Sequence, residues 1–199
     1  MTAIGELVIS SPVEPWERLG LLVHGDVARV AGVRLRFVSG SDGLVGWGLV
    51  DAPSPVELID GLATSHVDAP EGHAPEHPLR IVGFDHVVVM TSSLERTCAA
   101  IHHATGEELR RIREAGAIRQ GFHRLGETIV EVVESAHVTA PHASFFGFVW
   151  NVAELHDLCE QLGPDVISVP KPAVQTGRYI ATVRASLGLG LPLALMTPR

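Results

Sequence analysis

Residues 81–91 (Ile-Val-Gly-Phe-Asp-His-Val-Val-Val-Met-Thr) and 127–134 (Glu-Thr-Ile-Val-Glu-Val-Val-Glu) are Val/Ile-rich runs of strand length. Between them lies a helical stretch. Ser92 or Ser93 is its N-cap, Glu95 sits in its first turn, and it ends near Gly106. Strands at 108–114, 117–125 and 127–134 complete a β-α-β-β-β order. The order then recurs: a strand at 145–152, a helix at 153–162 ending at Gly163, and strands at 166–169, 179–185 and 190–197.

The recurrence is testable by arithmetic. An offset of 61 places Val88 on Val149, Leu94 on Leu155 and Cys98 on Cys159. Leu and Cys four residues apart share one helix face, so both cysteines are expected to pack against a sheet. The N-terminal stretch is a fainter third copy. Strands are expected at 5–10, 21–24, 27–31, 33–38 and 44–50, with a short helical turn around Pro15–Leu19 ending at Gly20. Aligned on the second unit, Glu6 falls where His86 stands, and Arg36 falls roughly where Glu131 stands. The chain thus divides into a degenerate unit at 1–50, a Pro-, His- and acid-rich linker or long loop at 51–80, and a domain of two units at 81–135 and 143–199.

Two polar residues interrupt the apolar strands. His86 opens the first, and Glu131 lies within the second. A charge inside such a strand is costly to bury unless it is paired or metal-bound, so the two point to a metal or acid–base site. By the period of two, His86, Val88 and Met90 share a face, as do Ile129, Glu131 and Val133. The simpler alternative is a hydrogen-bonded His–Glu pair, or two residues on a solvent-facing side. In the neighbouring strand, Arg119 and His123 share one face, and Gln120, Phe122 and Arg124 share the other. One of these faces should line the same cavity. His123 is then a candidate acid–base group, and Arg119 or Phe122 a candidate substrate contact. Arg178 and Arg184 flank a strand of the third unit and can hold a carboxylate or phosphate, or simply face solvent. His73 and His77 have i,i+4 spacing, but Pro75 between them argues against an aligning helix.

Composition narrows the function classes. Hydrophobic residues make up 46% and charged residues 19% of 199 positions, enough for a sizeable core. A net charge of −8 argues against nucleic-acid binding and supports no anionic membrane partner. The longest apolar run, Leu187 to Met196, is interrupted by Pro192 and is too short to span a bilayer. No signal-peptide pattern is visible, and two cysteines make no disulfide framework, so a reduced cytoplasmic protein is expected. Gly188-Leu189-Gly190 lacks the glycine spacing and context of a dinucleotide loop, and no nucleotide cofactor is expected.

Tandem β-α-β-β-β units, with Asp-His-Val-Val-Val opening one and Glu-Thr-Ile-Val-Glu-Val-Val-Glu closing it, resemble the vicinal oxygen chelate superfamily. That group includes glyoxalase I, methylmalonyl-CoA epimerase, extradiol dioxygenases and bleomycin-resistance proteins. The resemblance is clear over 81–199 and weak over 1–50. It implies an α+β, glyoxalase-like fold in which paired units form a cupped, open, barrel-like sheet around a small-molecule cavity. It implies a divalent metal (Zn, Fe, Mn or Mg) held by His or Gln of first strands and Glu of fourth strands. His86 and Glu131 match such ligands. The third unit offers Gly147 and Ala194 instead, and Glu6 is a candidate third ligand if the first unit faces the same cavity. Arg36 would then grip an anionic substrate.

The implied function is a metal-assisted lyase, isomerase or dioxygenase, in which Glu131 or His123 moves a proton. The alternative is a non-catalytic, resistance-type binder of a small apolar or aromatic ligand. The implied partner is a small molecule, and homodimers are common in the group. The N-terminal unit is expected to extend the main barrel or to pair with its second unit.

Overall fold

A computed structural model describes residues 1–72 and 74–199. The pairing suggested for His73 and His77 therefore lies outside the described residues. The N-terminal third forms a six-stranded sheet from β1 (Ala3–Ser10), β2 (Val27–Val30), β3 (Val33–Val38), β4 (Gly43–Val50), β5 (Leu58–Ile59) and β6 (Leu62–His66). The rest forms an eight-stranded sheet from β7 (Ile81–Thr91), β8 (Arg111–Ala115), β9 (Ile118–Leu125), β10 (Thr128–Ser135), β11 (Ser144–Val152), β12 (Lys171–Pro172), β13 (Tyr179–Thr182) and β14 (Leu193–Met196). Helices α1 (Glu14–Leu19), α2 (Leu94–Thr105) and α3 (Leu155–Leu162) follow β1, β7 and β11.

The strand order of the large sheet is β12-β13-β14-β11-β7-β10-β9-β8. Its centre is the antiparallel pair β7/β11, flanked by parallel β10 and β14. The repeat survives in the register: Glu131 pairs with Val88, and Ala194 pairs with Val149, 61 positions on from Val88. Helix α2 has the Ser93 cap read from the sequence, with Ser93 Oγ accepting from the Arg96 amide, and it ends at a left-handed Gly106. Cys98 and Cys159 are both buried, and Cys98 packs against Gly121 of β9. Burial, and secondly the Glu95 carboxylate, pushes the Cys98 thiol up to about 11, and burial also raises Cys159, so neither position supplies a reactive thiolate.

The small sheet repeats the plan, in the order β2-β3-β1-β4-β6-β5. Its centre is antiparallel β1/β4, with β3 parallel to β1 and β6 parallel to β4. The first unit therefore pairs with a reduced, helix-less unit at 43–66 rather than with either later unit. Part of the 51–80 stretch read as linker is strand. Its strands are short and sit among prolines, which hid them.

The two sheets share one core. Trp16 of α1 is fully buried and packs on Phe37 of the small sheet at 5.5 Å. It also packs on Phe148 and Trp150 of β11, both at 6.1 Å. Asp60, in the β5–β6 turn with its side chain 4% exposed, ties the reduced unit to α2 by accepting from Arg96 Nε at 2.8 Å and Thr97 Oγ1 at 2.5 Å. Replacing a buried Trp by Ala costs about 3–5 kcal/mol. Trp16→Ala should therefore lower unfolding stability by that amount in urea titration. A loss below about 1 kcal/mol would contradict the shared core.

Candidate functional site

The concave face of the large sheet carries His86 from β7, Glu131 from β10, and Gln120 and Phe122 from β9. These four line a cavity of about 450 Å³ together with Arg113, Lys171, Pro172, Ala173, Val174, Gln175, Ile180 and Met196. The alternation in β9 is decided by α2. Gly121, His123 and Leu125 are buried on the helix side, which leaves Gln120, Phe122 and Arg124 on the other.

His86 is held from both sides. Its Nδ1 lies 2.9 Å from Asp85 Oδ1, and its Nε2 lies 3.3 Å from Glu131 Oε2. The Asp85 side chain is 1% exposed and also accepts from Arg178 Nη2 at 2.7 Å. Arg178 in turn donates to Asn151 Oδ1 at 2.6 Å and to the Thr197 carbonyl. Burial pushes the Asp85 carboxyl up. The hydrogen bonds and positive charge of His86 and Arg178 outweigh that and hold it down at about 2. An ionised Asp85 can only accept, so His86 Nδ1 carries a proton. Nε2 then faces the Glu131 carboxylate. Two lone pairs opposed at that distance need a positive particle between them, either a proton or a metal ion. Gln120 Nε2 donates to Glu131 Oε1, while Gln120 Oε1 is buried with no partner among the described residues.

This donor set fits a divalent ion. Two ligands each about 2.1 Å from one ion, at roughly right to tetrahedral angles, stand about 3.0–3.4 Å apart, as His86 Nε2 and Glu131 Oε2 do. A carboxylate on the far nitrogen is the usual support of a metal-binding histidine. The Gln120 oxygen is a further buried oxygen beside this pair without a hydrogen-bond partner among the described residues. Among the described residues no three His, Cys, Asp or Glu side chains are grouped so that they could hold a metal ion.

The equivalent first- and fourth-strand positions in the other half of the face are apolar. Val149, Ala194 and Met196 form a small buried apolar cluster with Ala173 and Ile180. The Gly147 position is sterically closed, because a Cβ there would fall far inside van der Waals contact with the Pro192 carbonyl oxygen. No side chain, and hence no ligand, can be placed at it without moving β14.

The remaining candidates lie elsewhere. Glu6 is in the small sheet, where it pairs with Arg34 Nε at 2.5 Å and Arg36 Nε at 3.1 Å. Its face is covered by the chain's own segment after β6. Val67 packs over Gly48, and the Glu71 carbonyl accepts from Arg29. Glu6 and Arg36 therefore satisfy each other rather than joining His86. His123 packs on the α2 side. Its Nδ1 donates to the Glu107 carbonyl at 3.1 Å, and burial lowers its pKa. Arg119 turns to the same outer side, against Glu95, Glu114 and Glu134. Arg178 is a buried support of Asp85 rather than a cavity-lining cation. His77 is structural: Nδ1 accepts from the Leu22 amide at 3.0 Å, and Nε2 donates to the Arg29 carbonyl at 2.7 Å.

No family model matches the chain, and no curated protein matches it. Solved structures do. Methylmalonyl-CoA epimerase from Mycobacterium tuberculosis is 14% identical, with a TM-score of 0.51 over 61% of this chain and 91% of that one. A hypothetical protein from Bacillus halodurans is 12% identical, with a TM-score of 0.49 over 58% and 94%. Methylmalonyl-CoA epimerase from Streptomyces coelicolor is 14% identical, with a TM-score of 0.48 over 59% and 97%. No helix among the described residues is long and apolar enough to cross a membrane.

The depressed Asp85 carboxyl has a measurable consequence. Its ionised form stabilises the folded state above the ordinary carboxylate range, and that contribution is lost as pH falls from about 4 through about 2. The shift corresponds to roughly 2 kcal/mol, from 1.36 kcal/mol per unit. Asp85→Asn should be less stable at neutral pH and should lose this acid-limb slope in urea titrations between pH 2 and 5. An unchanged slope would contradict the assignment.

Paired β-α-β-β-β units around a cupped cavity, and the match to the Mycobacterium tuberculosis epimerase structure, give this chain a vicinal oxygen chelate fold.

Proposed function

We propose that the protein is a metal-assisted enzyme of the glyoxalase type that moves a proton on a small substrate in the His86–Glu131 cavity, as an isomerase or lyase does. The observation that carries this reading is the 3.3 Å approach of His86 Nε2 to Glu131 Oε2, with Asp85 behind the histidine. Such a pair has a use only for a proton or a cation. The likeness in fold to a methylmalonyl-CoA epimerase supports the isomerase reading.

The roles follow from the geometry. Gln120 fixes one Glu131 oxygen by its amide N–H and leaves the other facing His86. The Glu131 carboxylate, through the lone pairs that His86 and Gln120 leave free, is positioned to take a proton from a carbon next to a carbonyl and return it. Asp85 and Arg178 hold the imidazole so that Nε2 points into the cavity. His86, Glu131 and the Gln120 oxygen would hold a divalent ion. When bound, that ion would act as a Lewis acid on a substrate oxygen. Met196, Ile180 and Phe122 exclude water from the apolar side of the cavity.

A panel of small α-acidic carbonyl compounds and thioesters, incubated with the protein in D2O and followed by proton NMR, tests this. At least one should exchange its α-proton, and Glu131→Gln should slow that exchange about 10²–10⁴-fold. Exchange that is insensitive to Glu131→Gln would refute the assignment of the base.

The apolar half-face at Val149, Ala194 and Met196 favours a second reading, a non-catalytic binder of an apolar or aromatic ligand. In that case a ligand should raise the unfolding temperature equally with and without EDTA, and no substrate should exchange.

A further inference from the structure

The cavity carries two cations that proton transfer does not use. Lys171 is the only lysine in the 199-residue chain, and it lines the cavity with Arg113. They come from opposite edges of the eight-stranded sheet, Arg113 from β8 and Lys171 from β12, so only the cupping of the sheet brings them together. Neither side chain has a hydrogen-bond or ion-pair partner among the described residues. By contrast, Arg34, Arg36, Arg96, Arg119, Arg124 and Arg178 are each engaged by a carboxylate. Against these two positive charges the lining offers one carboxylate, Glu131. A protein of net charge −8 thus keeps a locally cationic cavity.

We propose that Arg113 and Lys171 form an anion clamp that selects a small carboxylic acid with an apolar body. The inference rests on the reading of this cavity as the substrate site and adds the class of substrate it takes. A guanidinium presents a planar fork to a carboxylate, while an ammonium supplies a point charge from the other side. The apolar body would lie on Ala173, Val174, Ile180, Met196 and Phe122. Inorganic phosphate would leave that wall wet, so it is the poorer fit. A volume of about 450 Å³ sets the size at that of a small organic acid.

The single lysine makes the test direct. Reductive methylation with ¹³C-formaldehyde keeps its charge and gives two NMR signals, one from Lys171 and one from the N-terminal amine. Hexanoate should shift the Lys171 signal saturably. Its neutral isostere hexanamide and inorganic phosphate should bind at least tenfold more weakly. Arg113→Gln should weaken hexanoate at least tenfold, and Glu131→Gln should leave it bound as tightly or more so. Equal binding of hexanoate and hexanamide, or of hexanoate and phosphate, overturns the clamp while leaving the cavity as a ligand site. So does hexanoate binding unaffected by Arg113→Gln. Absence of any saturable shift at Lys171 overturns it as well. A clamp that works in a protein that exchanges no substrate proton would instead count against the proton-transfer reading alone.

Discussion

The buried charge of Asp85 sets the terms for the larger domain. A carboxylate 1% exposed needs a full complement of donors, and the chain supplies them from two directions. One is its own neighbour, His86. The other is Arg178, 93 positions away in the β12–β13 hairpin. Meeting that demand carries the hairpin over the concave face, which creates a cavity wall from Pro172 to Ile180. It also pins the C-terminal strand through the Thr197 carbonyl. The other oxygen of Asp85 fixes the histidine's protonated nitrogen and aims the other one at Glu131. Stability and site geometry therefore depend on one ion pair.

The two sheets show what happens to one plan under different side chains. In the small sheet the first-strand position is Glu6 and the fourth-strand position is Arg36. With Arg34, they neutralise one another, and Val67, after β6, packs against Gly48 beside Glu6. In the large sheet the same positions are His86 and Glu131, which do not neutralise each other without a proton or an ion, and the face stays open. Within the large sheet the second half is closed in another way, by the Pro192 carbonyl against Gly147. One quarter of the four-unit arrangement thus carries the acid–base pair, while the others supply packing and walls.

The unit repeat, the caps of α2 and the shared face of His86 and Glu131 were legible in the sequence, because each rests on periodicity or local hydrogen bonding. The parity of β9 was not. A period of two defines two faces and cannot say which one a helix covers. Here α2 covers Gly121 and His123, which removes His123 and Arg119 from the cavity and puts Gln120 into it. The glycine was the available signal, since Cys98 packs where a Cβ would sit. Glu6 failed as a cavity ligand because its unit pairs with strands so short, and so rich in nearby prolines, that 51–80 read as linker. Lys171 lies in a hairpin whose strands pair over only a few residues, and its convergence with Arg113 is a product of sheet curvature.

The central claim is that His86, Gln120 and Glu131 act on one ion. Calorimetric titration of Mn²⁺ or Zn²⁺ into EDTA-dialysed protein tests it most directly. The account predicts one ion per chain, bound at least tenfold more weakly in His86→Ala and in Glu131→Gln and unchanged in Glu6→Gln. No saturable binding, or binding that survives both cavity substitutions, would contradict it.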